Sequence, residues 1–271
     1  MQKQHIESRG LVLLGCGKMG SAMLAGWLEG GLPASSVWVM DPKPSDWLKQ
    51  IDGLHLNEGW PENPAMVLIA VKPQMMADAL PDMQPLGNGE TLFVSVAAGT
   101  PIAYYERVLG QGTSIVRAMP NTPAAVGRGI TALIGNSKVS EVQLALAEEF
   151  LTAVGQTVRL DDESQMDAVT AVSGSGPAYV FHLIETLAAA GQAQGLPEDL
   201  AMRLAKATVA GAGHLAENSE DDPTQLRVNV TSPAGTTAAA LDVLMDKEFG
   251  FPALLERAVA AAANRSRELA Q

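Results

Sequence analysis

The residues best placed to do chemistry in this chain are glycines, hydroxyls and backbone amides. Gly15-Cys16-Gly17-Lys18-Met19-Gly20 forms a G-x-G-x-x-G pattern directly behind the apolar run Leu11-Val12-Leu13-Leu14. In such a turn the first glycine bends the chain, the second lets the backbone approach a pyrophosphate, and the third lets helix and strand come close. The helix expected next carries Met19, Met23 and Trp27, with Leu24 and Leu28, at spacing four and ends at Gly30-Gly31. Its N-terminus would take the pyrophosphate of a nicotinamide cofactor. A second run, Val37-Trp38-Val39-Met40, ends in Asp41, about 20 residues past the glycines, where a dinucleotide fold presents its ribose contact. Asp41 suits the free 2′-hydroxyl of NAD, whereas Lys43 suits the 2′-phosphate of NADP, and Asp41-Pro42 also reads as a plain turn starter. Charge alone leaves these open.

A second candidate site lies far down the chain, in Thr231-Ser232-Pro233-Ala234-Gly235-Thr236-Thr237. Ser232 and Pro233 read as N-cap and N1 of a helix or turn, and Gly235 to Thr237 offer open N–H groups and two hydroxyls for a small anion. An ordinary capped helix start would have the same residues. Ser173-Gly174-Ser175-Gly176-Pro177 is a break of small residues inside a helical region, suited either to ligand approach or to a packing kink. Lys72 and Arg117 stand at the carboxyl edge of expected strands, where open α/β sheets bind ligands, but each could equally be a solvated charge. No G-x-S-x-G elbow, Tyr-x-x-x-Lys pair or H-E-x-x-H motif occurs, so hydrolysis is not expected. The lone Cys16 and four scattered histidines have no metal-ligand spacing and point to a reducing, cytoplasmic setting without structural metal.

These groups need a sheet and then helices to hold them. Short β-rich runs alternate with helical stretches up to residue 160, at 11–14, 37–40, 67–71, 92–96, 114–118, 131–134 and 157–160, which predicts βαβ units around a mainly parallel sheet. Beyond Asp161-Asp162-Glu163-Ser164 the β-branched runs give way to Ala/Leu-rich helical segments, broken near 173–177, 195–197, 220–223, 232–235 and 249–252. The expected organisation is a dinucleotide-binding domain over 1–160 and an all-α domain over 161–271. The segment around Tyr179, Val180, Phe181, Leu183, Ile184 and Leu187 is apolar on more than one face, so a homodimer through the helical domain is expected. With 18 basic against 30 acidic residues the formal charge is −12, which disfavours a nucleic-acid partner. The longest apolar runs are far shorter than the roughly 18 residues of a membrane-spanning helix, so no membrane association is expected.

Taken together, the segments 15–20, 70–73 (Ala70-Val71-Lys72-Pro73), 117–123 (Arg117-Ala118-Met119-Pro120-Asn121-Thr122-Pro123), 173–179 and 232–237 resemble pyrroline-5-carboxylate reductase, in family order and across both domains. The resemblance implies a Rossmann domain followed by a helical dimerisation domain, with hydride transfer from NADPH, or NADH, to the ring C=N of pyrroline-5-carboxylate at the end of proline synthesis. It implies catalysis at the junction of the domains and across a dimer, which could belong to a larger ring of dimers. Implied cofactor contacts are Gly15, Cys16, Gly17, Lys18, Met19 and Gly20, then Asp41, Lys43, Asn57, Ala70, Val71, Lys72, Pro73, Ala97 and Ala98. Implied substrate contacts are Gly235, Thr236, Thr237, Ser232, Asn229, Glu220 and Ser175, with the Thr237 hydroxyl beside the imine nitrogen. Ala234 stands where the family usually has a second glycine, and Val228 where an acidic or polar residue is common. A hydroxyacid dehydrogenase of similar build would want a lysine on the first long helix of the second domain, and 163–195 has none. A non-catalytic dinucleotide-binding module would leave the 232–237 segment unexplained.

Overall fold

Leu11-Val12-Leu13-Leu14 is apolar at every position because the strand it forms is covered on both faces, as parallel strands are. A computed structural model describes residues 2–269, with side chains from residue 4. After α1 (Gln2–Arg9), the strands β1 (Leu11–Leu14), β2 (Val37–Met40), β3 (His55–Leu56), β4 (Met66–Ile69), β5 (Leu92–Ser95), β6 (Ser114–Met119), β7 (Gly129–Gly135) and β8 (Gly155–Arg159) form one sheet. Their order is β3-β2-β1-β4-β5-β6-β7-β8. Between them run α2 (Lys18–Glu29), α3 (Asp46–Lys49), α4 (Met76–Ala79), α5 (Ile102–Leu109) and α6 (Glu141–Leu151). The order reverses between β1 and β4, which makes their carboxyl ends the ligand crevice of a doubly wound fold.

All pairings are parallel except β6 with β7, where Val116 faces Gly135 and Met119 faces Ala132. Seven strands fall where the residue pattern puts them; β3, two residues long, does not follow from it. It forms because Trp38 and Val39 of β2 pair with His55 and Leu56, and the Trp38 and His55 rings stack 4.3 Å apart. Two apolar layers cover the sheet. One includes Leu11, Leu13, Met23, Leu24, Trp27 and Phe150, and the other Val12, Val67, Ile69, Phe93, Tyr105 and Leu109. Burial of each Leu, Ile, Val or Phe contributes roughly 1.5–3 kcal/mol.

After Arg159 every element is helical: α7 (Met166–Val169), a π turn over Thr170–Gly174, α8 (Gly176–Ala193), α9 (Glu198–Asn218), α10 (Pro223–Asn229), α11 (Thr236–Leu244) and α12 (Phe251–Leu269). Contacts divide the chain into two units, 2–174 with 263–269, and 175–262. Within the second unit α8 and α9 meet through small residues, and its fully buried cluster is Ala188, Ala201 and Ala205. Among the described residues no helix is long and apolar enough to cross a membrane, and no group of three or more His, Cys, Asp or Glu side chains could hold a metal ion.

Candidate active site

The three glycines behind β1 take three different roles. Gly15 adopts φ +88°, open to glycine at no steric cost, and a Cβ there would lie 2.8 Å from Val71 Cγ1. Gly20 sits against the turn itself, where a Cβ would lie 2.6 Å from the Gly15 carbonyl oxygen. At Gly17 a Cβ would meet nothing within 4 Å, so this glycine leaves an open face. Gly17 is also the N-cap of α2, whose first turn has neither a side-chain cap nor an acidic residue. The N–H groups of Lys18, Met19 and Gly20 therefore open on a site suited to a phosphate, with the helix dipole behind them. The residues present fit a dinucleotide.

At the end of β2 the carboxylate of Asp41 is already engaged. Its Oδ2 accepts from Cys16 N at 2.7 Å and its Oδ1 from Lys43 N at 2.8 Å, so Asp41 ties the glycine turn to its own Asx turn. Asn57, in the left-handed region at φ 56°, clamps the same residue: its Oδ1 accepts from Asp41 N and its Nδ2 donates to Asp41 O, both at 2.9 Å. Lys43 is exposed. Cys16 has its N–H committed and its side chain buried, and burial, with the Asp41 charge beside it, pushes the thiol up to about 12.

Ala70, Val71, Lys72 and Pro73 follow β4 at the same sheet edge, with Lys72 exposed as N-cap of a short 3-10 turn. Behind β5, Ala97 is buried and donates its N–H to Ser95 Oγ at 3.2 Å, whereas Ala98 is exposed. Arg117 is not a solvated charge. It lies within β6, 5% exposed, and its guanidinium donates to Glu163 Oε1 at 2.7 Å. Residue types alone did not single out Glu163, and a carboxylate next to a helical break carries no signal for a partner 46 residues away. Asn121 was quoted only as part of a motif, yet its Oδ1 accepts from Ile130 N at 3.0 Å and its Nδ2 reaches Ser173 Oγ at 3.3 Å. The break at 173–177 is a π turn over Thr170–Gly174, a form frequent at functional sites.

In the second unit α11 begins at Thr236 with Gly235 as N-cap and no side-chain cap. Ser232 is the start of a turn, not the N-cap: Gly235 N donates to Ser232 O at 3.0 Å. Ala234 lies in that turn at φ +56°, a region that costs a non-glycine residue roughly 1–2 kcal/mol. This is why glycine suits the position. The N–H groups of Thr236 and Thr237 thus open the first turn of an uncapped helix. Asn229 is held on both sides, donating to Asp221 Oδ2 at 3.0 Å and accepting from Gln225 Nε2 at 2.7 Å. Glu220 is exposed ahead of α10, and Ser175 precedes α8 and accepts from Ala178 N through its carbonyl.

Comparison with known proteins meets this geometry. Residues 163–269 match the family described as pyrroline-5-carboxylate reductase dimerisation, and residues 11–99 match NADP oxidoreductase, coenzyme F420-dependent. A pyrroline-5-carboxylate reductase of Pseudomonas aeruginosa is 41% identical over 266 residues, covering 96% of this chain and 97% of the relative. Among solved structures, a pyrroline-5-carboxylate reductase of Coxiella burnetii superposes with TM-score 0.91 at 34% identity, over 97% of this chain and 99% of the other. That of Plasmodium falciparum, with NADP bound, gives TM-score 0.84 at 29% identity, over 98% and 99%. With near-complete coverage at this identity, the chain belongs to the pyrroline-5-carboxylate reductase family.

Proposed function

We propose that this chain reduces the ring C=N of 1-pyrroline-5-carboxylate to give L-proline, the last step of proline biosynthesis, with NADPH as its cofactor. The observation that carries the reading is a pair of uncapped helix N-termini, one in each unit, each opening on a glycine: Gly17 before α2 and Gly235 before α11. One suits a pyrophosphate and the other a small carboxylate, and a cofactor and an amino-acid precursor need one of each. Supporting it are the full-length relatives and a neighbour that holds NADP.

Bound NADPH supplies the hydride. The amides of Lys18 to Gly20 hold its pyrophosphate, and the 70–73 and 97–98 loops border it. Asp41 stays turned into the backbone, and exposed Lys43 meets the 2′-phosphate, which favours NADPH over NADH. The amides of Thr236 and Thr237 hold the substrate carboxylate, Gly235 lending the open approach while its own N–H stays on Ser232 O, with Asn229, Glu220 and Ser175 around it. The Thr237 hydroxyl oxygen accepts a hydrogen bond from the N–H of the protonated imine and so favours the charged, electrophilic form. The protonated imine is already electrophilic, so alignment does the work a nucleophile or metal does elsewhere, and the π pair of the C=N ends as the nitrogen lone pair of proline. In this reading 1–160 is the cofactor domain and 161–271 carries the substrate loop and the surface of a homodimer in the cytoplasm, with a ring of dimers as a further assembly.

Loss of nicotinamide absorbance on adding pyrroline-5-carboxylate, run with NADPH and with NADH, tests the reading. Faster oxidation of NADPH supports it, and no oxidation of either by protein that binds NADPH overturns it. Thr237→Ala is expected to lower kcat/KM about 100-fold, the scale of a lost proton-transfer group, with NADPH affinity unchanged.

A further inference from the structure

The ion pair of buried Arg117 with half-buried Glu163 plays no part in binding as described so far, yet Glu163 bonds the first residue of the helix that closes the segment following β5. Glu163 Oε1 accepts two hydrogen bonds, from Arg117 at 2.7 Å and from Ile102 N at 2.9 Å. Ile102 opens α5, whose N-cap is Pro101 and which has no side-chain cap of its own. A carboxylate 61 residues away therefore caps the helix, where the dipole favours negative charge. Glu163 is itself delivered by a stiff turn: Asp162 Oδ1 accepts from Ser164 N at 2.7 Å, and Gln165 Oε1 accepts from Asp161 N and Asp162 N. The other end of the segment is tied as well. Ser95, the direct neighbour of Arg117 across β5 and β6, accepts from Ala97 N, and its hydroxyl lies 2.5 Å from that of the buried Tyr105 on α5. Residues 97–101 are thus held at both ends, with Ala98 exposed between them at the carboxyl edge of the sheet.

We infer that Glu163, backed by Arg117, is a positioning residue for the cofactor: by capping α5 it fixes the 97–101 loop that would border bound NADPH. This rests on the reading of 97–98 as a cofactor contact. Arg117, the buried partner, fixes the half-buried carboxylate by a charge-assisted hydrogen bond, and Glu163 supplies the bond that orders the loop.

The test is NADPH affinity by fluorescence titration, alongside thermal unfolding and steady-state kinetics. Glu163→Ala is expected to weaken NADPH binding about tenfold, equal to about 1.4 kcal/mol, while KM for pyrroline-5-carboxylate at saturating NADPH stays within about twofold of wild type. Glu163→Gln keeps an oxygen for Ile102 N and should restore NADPH affinity to within about threefold, although its unfolding midpoint falls because Arg117 has lost its counter-charge. Arg117→Met/Glu163→Gln removes the stranded charge, keeps the cap, and should bind NADPH as wild type does, even where a single variant fails to fold. Lower thermal stability with unchanged NADPH affinity in Glu163→Ala overturns the inference, as does Glu163→Gln binding no better than Glu163→Ala. Because affinity is read without substrate, a wild type that binds NADPH but does not reduce the imine defeats the proposed function and leaves this inference standing.

Discussion

The two units bury their apolar residues differently. In the sheet unit, Leu11, Val67, Ile69, Phe93 and Leu109 are each fully enclosed by layers the unit itself provides. In the helical unit the enclosed cluster is three alanines, and Val180, Phe181 and Leu187 of α8, Leu200, Leu204 and Leu215 of α9, and Leu254 and Leu255 of α12 remain exposed. So many exposed large apolar side chains on three helices point to an interaction surface. The sheet unit specifies its own fold, whereas the helical unit reads as half of one whose remainder is a second copy, in keeping with its match to a dimerisation family.

Breaking the helical side of this comparison should have the largest effect. Phe181→Asp with Leu204→Asp places two charges on the exposed apolar faces of α8 and α9 and is expected to halve the mass by light scattering. The unfolding midpoint should drop too, since each lost apolar contact costs about 1.5–3 kcal/mol, while NADPH binding persists. An unchanged mass would mean that these faces are not the assembly surface. The converse change acts on the sheet side alone. Gly20→Ala drives a methyl to 2.6 Å from the Gly15 carbonyl oxygen, so that backbone must shift, at a cost of about 1–3 kcal/mol. NADPH affinity should fall at least tenfold with the assembly mass unaltered; wild-type affinity would show that α2 can shift from the turn.

The smallest effect sharpens the contrast in enclosure. The Cys16 thiol is pushed up to about 12, chiefly by burial. Its folded value lies above the unfolded one of about 8.5, so its contribution to stability is complete below that pH and is lost as pH rises toward 12. Between pH 8.5 and 11, Cys16→Ala should lose less stability than wild type does. Disulfide reagents at pH 8 should label the native protein far more slowly than the denatured one, and equal rates would place the thiol outside the enclosed core.

Several features could be read without coordinates because they are local. The turn at Gly15 to Gly20 needs only one glycine at positive φ, one facing open space and one against a carbonyl, all within six residues. The breaks at 195–197, 220–223 and 249–252 follow from Gly and Pro chemistry. What could not be read depends on partners distant in sequence. Nothing near His55 announces a strand, because β3 exists only through its pairing with β2. Ser232 looked like an N-cap as readily as the start of a turn, and only the bond from Gly235 N to its carbonyl decides between them.

Asp41 and Arg117 mark the boundary between the two kinds of knowledge. Residue type and position place Asp41 at the ribose end of a dinucleotide fold, but the direction of its carboxylate depends on Cys16 N, which folding brings back from across β1 and β2. Arg117 reads equally as a surface charge or as part of a site, and burial against Glu163 settles it. Sequence alone determined the fold class, the glycine turn and the family, since periodicity and short motifs act over a few residues. Which charges face inward, which helix borrows its cap from elsewhere, and which apolar faces stay uncovered were decided by tertiary structure, because a hydrogen bond or a buried area requires two segments to meet in space.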